Sequence, residues 1–343
     1  MDTLLTALKA VAEPTRLRLL ALLAQGELTV SELVRILGQS QPRVSRHLRL
    51  LTEAGVLDRF QEGSWVFHRL AQGDREGSTA GADLAQHLTA QLSPEDPVLK
   101  GDQTRLMEVK RTRAEAAARY FAANAGQWDE IRSLQVDEQE VERVILNLLP
   151  VSKVSGPAFG PVSGPVFDQA SGLLDIGTGT GRMLEILGPR YRHGHGIDLS
   201  HEMLSVARAN LHKAGLDHCQ VQKGDMYQLP FAAEAFDGVI IHQVLHFADR
   251  PQEPIAEAAR VLGPGGRLVV VDFAPHKLET LRDDHEHRRL GFSDKEVAGW
   301  IDAAHLQLSG IHHLPGTPLT VTVWWGDKAI TQNSIKGSAD ART

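Results

Sequence analysis

The stretch DIGTGTG, residues 175 to 181, follows a short apolar run and carries glycine at alternate positions. Such a turn is tight and lets backbone N–H groups approach a ligand closely. Dinucleotide folds use similar turns, but two features set this one apart. The spacing is G-x-G-x-G, and the position that would complete G-x-G-x-x-G holds Arg182, too bulky for close helix–strand packing. Asp198 closes the next apolar run, where a carboxylate can accept both hydroxyls of a ribose, and Asp225 in GDM closes a third, placed for the amino group of a purine. Met203 and Met226 offer apolar cover for its face, although Met203 reads equally well as helix core. Glycine turn, ribose acid and adenine acid, in that order, fit a nucleoside without a pyrophosphate. A carboxylate at the end of an apolar strand needs a partner, which singles out Asp175 and Asp198.

The elements that must position these groups are legible in the same stretch. From Leu173 the runs LLDI, HGHGID, QVQKGD, DGVIIHQ and RLVVVDF alternate with helical segments. Parallel strands with helical crossovers make a doubly wound α/β sheet that binds ligands at the carboxyl ends of its strands. Ahead of it, residues 151–170 hold a short Pro- and Gly-bearing tandem, VSGPAFGP and VSGPVFDQ, read as a surface insertion, with Phe159 and Phe167 the reason to consider a lid.

The first 72 residues have a different pattern. Two apolar-periodic helices flank EPT, with Pro14 in a first helical turn. LTVSELVRILGQSQPRVSRHLRLLTEAGVL then reads as helix, four-residue turn and longer helix, with Ser40 at its cap. Val44, Leu48 and Leu51 fall on one face of that helix, leaving Gln41, Arg43, Ser45, Arg46 and Arg49 outward, residue types that read base edges and phosphates. VLDRFQEGSWVFHRL follows as a hairpin turning at Glu62-Gly63 and carrying Arg59 and Arg69. A polar linker and a helical connector, 73–150, separate the two halves, and 327–343 form a polar tail.

Composition agrees with two globular domains. The 343 residues are 42% hydrophobic and 23% charged, with no apolar run long enough to span a membrane, so a cytoplasmic protein is expected. The formal charge is -7, yet residues 1–70 carry nine Lys or Arg against seven Asp or Glu, a mildly basic head on an acidic body. A single cysteine, Cys219, excludes an internal disulfide framework and a cysteine-rich zinc site, and no metal is expected.

EPTRLRLLALL, VSRHLRLLTEAGVL and the hairpin make residues 4–70 resemble the winged-helix regulators of the ArsR/SmtB family, which implies a dimer on a double-stranded DNA operator. Many members that sense soft metals carry paired cysteines on the helix before the recognition helix; Thr29 and Ser31 stand there, and hydroxyls are poor substitutes for thiolates. LLDIGTGTG, GIDLSHEML, GDMYQLPF, FDGVIIHQVLHF and VLGPGGRLVVVDF make residues 171–273 resemble the class I S-adenosylmethionine-dependent methyltransferases of the type 11 group. The resemblance implies a Rossmann-like methyltransferase sheet over 171–326, closed by a hairpin in LQLSGIHHLPGTPLTVTVWWG. It implies S-adenosylmethionine as cofactor, with Asp175 and Gly177 at its methionine part, Asp198 at the ribose, and Asp225 with Met226 at the adenine; Gly179, Gly181 and Met203 are the further cofactor-binding residues expected. The expected architecture is an N-terminal winged helix-turn-helix joined to that sheet.

Methyl transfer from a sulfonium needs orientation more than a protein nucleophile. Where the acceptor, expected to be a small molecule, must lose a proton, His242, His246 and Asp272 are the candidates, with His276 beside them. The run DDHEHRRLGF reads as an exposed helix in which Asp284 and Arg288 pair at i, i+4. Arsenic as acceptor is disfavoured, since the arsenic methyltransferases of this fold work through several cysteines. Two readings stay open: a regulator whose second domain methylates a small molecule, or one whose second domain only senses S-adenosylmethionine or S-adenosylhomocysteine to control methyl-cycle genes. In a third, the helix-turn-helix serves dimerisation alone.

Overall fold

The computed structural model describes residues 2–62, 64–71, 80–125, 138–149 and 172–330, and the chain divides into two compact units, Met1–Ala116 and Ala117–Thr343. The Gly63 end of the expected hairpin turn, the 151–170 insertion with Phe159 and Phe167, and the tail beyond 330 lie outside the described residues.

The first unit begins with α1 (Asp2–Val11) and α2 (Pro14–Leu23). Glu13 caps α2 by accepting the Arg16 N–H, and Pro14 takes its first position, where no N–H is needed. After β1 (Leu28–Thr29) comes α3 (Val30–Leu37), opened by a reciprocal capping box between Thr29 and Glu32 and closed by Gly38 at φ 65°. Thr29 therefore serves as a helix cap at the position where metal sensors place a thiolate. The next helix, α4 (Gln41–Glu53), has Ser40 at its N-cap but without a side-chain cap bond, and buries Val44, Leu48 and Leu51. β2 (Leu57–Glu62) and β3 (Trp65–Leu70) pair antiparallel, and β1 adds to β3, giving the order β1-β3-β2.

The connector is more than a spacer. Ala85 of α5 (Ala80–Gln91) and Leu106 and Val109 of α6 (Pro97–Asn124) join the core built by Leu19, Leu33 and Leu48. Asp102, only 1% exposed, receives both Nε and Nη2 of Arg18 at 2.6 and 2.7 Å, a bidentate pair that ties α6 to α2.

His68 on β3 is 4% exposed, and burial, reinforced by Arg59, lowers its pKa from the ordinary 6.5 to about 4. The unfolded chain therefore binds a proton that the folded unit refuses, so stability is full above pH 6.5 and is lost as pH falls toward 4. The loss attributable to this group is on the order of 3 kcal/mol. Thermal melts between pH 7 and 5 should show His68→Phe losing less stability than the native chain; parallel curves would remove His68 from this role.

In the second unit, α7 (Glu138–Leu148) precedes a sheet of seven strands. These are β4 (Gly172–Ile176), β5 (His193–Asp198), β6 (Cys219–Lys223), β7 (Phe236–His242), β8 (Leu262–Phe273), β9 (Gln307–Leu314) and β10 (Val321–Asp327). Their order is β6-β5-β4-β7-β8-β10-β9. The pairings from β6 through β8 are parallel, and β10 runs antiparallel to both β8 and β9, which is the expected closing hairpin. Crossovers are made by α8 (Arg182–Leu187), α9 (His201–Lys213) and α10 (Gln252–Val261), with α11 (Thr280–His285) and α12 (Asp294–Ala303) after β8.

Every residue of β4 is buried, as a strand covered on both faces requires. Alternate residues feed two cores: Leu173, Ile240 and Val269 one face, Leu174, Ile241 and Val270 the other. Strand order reverses between β4 and β7, so the crevice of this sheet opens at the carboxyl ends of those two strands.

Candidate nucleoside and acceptor site

The glycine turn leaves β4 at that crevice. Gly177 and Thr178 both donate their N–H to the Ile197 carbonyl at 2.9 Å, which fastens the turn to β5. Gly177 adopts φ 73°, and a Cβ there would lie 2.6 Å from Cγ2 of Val244, so both dihedral and space require glycine. Gly179 and Gly181 also have positive φ, 51° and 84°. The same contact places the turn directly against the segment that follows β7. Asp175, 1% exposed, accepts the Thr178 hydroxyl at 2.6 Å, so its carboxylate shapes the turn from beneath.

Asp198 binds the turn from the neighbouring strand. Its Oδ2 accepts Gly179 N–H at 3.0 Å and its Oδ1 accepts Ser200 N–H at 2.9 Å. Burial pushes its pKa up from the ordinary range, against the pull of these backbone donors. Ser200 caps α9 by accepting Met203 N–H, and Met203 lies on the buried face of that helix with Leu204 and Ala207. Leu199, between Asp198 and Ser200, is 57% exposed and presents apolar surface at the strand end; a single leucine in GIDLS offers no periodicity by which to find it.

Asp225 is exposed and accepts Tyr227 N–H at 2.9 Å, while Met226 packs against the core beneath. Tyr227 was not singled out in the sequence. Its hydroxyl accepts Asp249 N–H at 2.7 Å and its ring lies under the Arg250 guanidinium, joining the loop after β6 to the one after β7. Arg182, which stood against a dinucleotide, opens α8 and holds Glu142 of α7 through Nε and Nη2 at 2.7 and 2.8 Å.

The ends of β7 and β8 carry the histidines. His242, buried, is the last residue of β7. Gln243 follows at φ 50°, a left-handed conformation costly for a residue with a side chain, and its N–H donates to the Val271 carbonyl at 2.8 Å. His246 sits in a single helical turn after it, 3% exposed, and Asp272 near the end of β8 is fully buried. His246 Nδ1 lies 2.8 Å from Asp272 Oδ1, and His246 N–H reaches Oδ2 at 3.3 Å. A carboxylate can only accept, so Nδ1 bears a proton, and in the neutral ring the lone pair is then on Nε2.

Here the structure corrects the expectation for DDHEHRRLGF. The helix α11 stops at His285, and Glu286 at φ 57° turns the chain back toward the strand ends. Arg288 and Arg289 donate their N–H groups to the His246 carbonyl at 2.9 and 3.0 Å, and Arg288 pairs with Asp249, not Asp284. Arg282, His287, Arg288 and Arg289 are all buried. His287 stacks on His246 with ring centroids 4.0 Å apart and planes within 21°. Phe247 and Phe273 flank His246 at 4.2 and 5.3 Å. Two residues of α6 complete this face: Tyr120, whose hydroxyl meets His285 Nδ1 at 2.5 Å, and Phe121, 4.9 Å from Phe247. Burial raises the Tyr120 pKa to about 12, so it stays protonated. Among the described residues no three His, Cys, Asp or Glu side chains converge as a metal site.

On the first unit, Gln41, Arg43, Ser45, Arg46 and Arg49 of α4 and Arg59 of β2 are all exposed. Arg49 pairs with Glu53 one turn on, at 3.8 Å with both ends in solvent, a weak restraint. His47, between Arg46 and Leu48, turns inward beside Glu13 instead.

Comparison with known proteins agrees with both units. Residues 13–59 match the family described as bacterial regulatory protein, arsR family, and residues 174–270 match the family described as methyltransferase domain. A ubiquinone/menaquinone biosynthesis C-methyltransferase UbiE of Roseobacter denitrificans is 40% identical over 107 residues, 30% of this chain and 42% of that protein. The protein of the same name in a Ruegeria species is 33% identical over 149 residues, 42% of this chain and 60% of that one. The crystal structure of YcgJ from Bacillus subtilis is similar with a TM-score of 0.42 at 22% identity, covering 48% of this chain and 94% of that one. The chain spans about half the length of the curated relatives it matches. Its two units are thus similar, over these residues, to an arsR-family regulatory domain and to a methyltransferase domain. No described helix is long and apolar enough to cross a membrane.

Proposed function

We propose, from a chain that joins an ArsR-type helix-turn-helix to a methyltransferase domain, that this is a cytoplasmic DNA-binding transcriptional regulator whose second unit methylates a small molecule. The observation that carries catalysis over sensing is the buried His246–Asp272 pair, set at the strand ends beside the glycine turn. A ligand sensor has no use for an imidazole held with its basic nitrogen presented and its other nitrogen spent on a carboxylate. The donor set suits S-adenosylmethionine. Asp198 would take the ribose hydroxyls, the Gly177–Gly181 turn the methionine portion, and Leu199, Asp225 and Met226 the adenine. When bound there, S-adenosylmethionine would supply an electrophilic methyl group on a sulfonium that leaves as a thioether. This chain's part is to hold both molecules and to receive the acceptor's proton at His246 Nε2, with Asp272 stabilising the resulting imidazolium.

For the first unit we read α4 as the recognition helix and the β2–β3 hairpin as a wing. Leu4, Leu5 and Leu8 on α1 are 44%, 45% and 40% exposed, an apolar stripe that suits a second copy of the chain. A DNA pool selected on the purified protein tests both ideas. Two chains should saturate one selected site, and Arg46→Ala should weaken binding roughly 5- to 100-fold while lowering the salt slope. Equal affinity at physiological salt would remove Arg46 from the interface. Repeating the titration with S-adenosylmethionine and with S-adenosylhomocysteine tests the sensor reading, which requires the two ligands to shift DNA affinity by different amounts.

A further inference from the structure

Resting on the methyltransferase reading, we propose that Tyr227, Asp249 and Arg288 are positioning residues that tie the backbone of His246 to the loop read as the adenine site, so that cofactor binding there firms the base. His246 sits in the helical turn Leu245–Phe247, and two bonds close a ring at the end of that turn. Arg288 donates its backbone N–H to the His246 carbonyl at 2.9 Å, and its Nε pairs with Asp249 Oδ1 at 3.0 Å. The chain from His246 to Asp249 completes the ring. The Arg288 side chain is only 7% exposed, so its end of the pair is shielded from the solvent that weakens surface ion pairs.

Tyr227 anchors this ring to the loop after β6. Its hydroxyl accepts Asp249 N–H at 2.7 Å and Arg250 N–H at 3.4 Å, the two backbone donors that follow Ala248. Burial, reinforced by Asp249, raises the hydroxyl pKa to about 12, so it stays neutral while its lone pairs serve those donors. Loop N–H groups outside a helix or strand need such an acceptor. At its backbone end Tyr227 is held by Asp225, whose Oδ1 accepts the Tyr227 N–H at 2.9 Å, while Gln228 N–H donates to the Asp225 carbonyl at 3.1 Å and tightens the turn. Asp225 is exposed, so an adenine amino group donating to this carboxylate meets the group that already fixes Tyr227.

The links run in one series. A ligand that orders the Asp225–Gln228 turn orders the Tyr227 ring and, through Asp249 and Arg288, the carbonyl of His246. A strut with a structural role alone would hold residues 285–290 equally in free and liganded protein. A coupling element holds them more tightly when the ligand is bound.

The test is amide hydrogen exchange on the full chain, free and saturated with S-adenosylhomocysteine. In the native protein the ligand should slow exchange about fivefold or more in the glycine turn 177–181 and in segments 245–250 and 285–290. Tyr227→Phe keeps the ring under Arg250 and removes the acceptor. It should bind S-adenosylhomocysteine within about threefold of native and keep the protection of 177–181, yet lose that of 285–290. Asp249→Ala, at a half-buried carboxylate, should lose the same protection. The double variant should lose no more than either single one, because the links act in series. Ligand protection of 285–290 that is absent from the native chain, or that survives in Tyr227→Phe and Asp249→Ala, overturns this inference alone. Loss of the 177–181 protection in Tyr227→Phe would make Tyr227 part of the cofactor site and overturn it too. Failure of the native chain to bind S-adenosylhomocysteine overturns the methyltransferase reading and the inference with it.

Discussion

Asp198→Ala should abolish measurable binding of S-adenosylhomocysteine, with affinity falling at least about 100-fold, near 3 kcal/mol. The carboxylate has two tasks. It holds the glycine turn through Gly179 N–H and the start of α9 through Ser200 N–H, and on our reading it accepts the ribose hydroxyls with its remaining lone pairs. Charge-assisted hydrogen bonds are the strong kind, and truncation also leaves two backbone donors unpaired. Asp198→Asn separates the tasks, since it keeps the volume and loses the charge. Calorimetric titration of both variants is the check, and native affinity in Asp198→Ala would sink the site assignment. The pH dependence has a definite sign. Burial raises the Asp198 pKa above that of an ordinary carboxylate, so cofactor affinity should start to fall at a higher pH on acidification than a solvated aspartate would allow.

The second large effect is expected at the acceptor side. His246→Ala should lower methyl transfer about 100- to 10,000-fold with S-adenosylhomocysteine affinity within about twofold of native. Asp272→Asn should reproduce much of the loss, because an amide at this position can donate to His246 Nδ1 and so favours the wrong tautomer. Asp272 is fully buried and also accepts Phe273 N–H at 2.8 Å, so the asparagine variant needs a thermal melt beside its kinetics to show that the strand end is intact. Transfer is followed by mass spectrometry of whichever acceptor a metabolite screen identifies. Undiminished turnover in both variants would leave orientation alone as the source of catalysis and return the two residues to a structural role.

Local patterns carried much of the architecture. Apolar runs bounded by turns marked β4, β7 and β8, because strands buried on both faces need continuous apolar residues. The glycine turn was legible because its conformation excludes side chains at Gly177. On the first unit, the spacing of Val44, Leu48 and Leu51 told which face of α4 is inside and so which arginines are outside. These are relations between residues within one element.

What the tertiary structure decided are relations across elements. His246, in the helical turn after β7, and Asp272, near the end of β8, stand 26 residues apart, and the pairing of β7 with β8 brings them together. The DDHEHRRLGF run has the composition of a solvated helix, and its charge spacing supports that reading. The left-handed turn at Glu286 breaks the helical period, and two backbone bonds to His246 draw His287 and the arginines into the interior. Asp102 likewise lies in a helix that composition marks as a connector, until Arg18 shows that it closes the core of the first unit. The sequence by itself determined the two kinds of domain, the glycine turn and the outward arginines, since periodicity and backbone sterics act within a few residues. Only the tertiary structure decided which titratable groups meet, because hydrogen-bond geometry and desolvation depend on neighbours that chain order does not name.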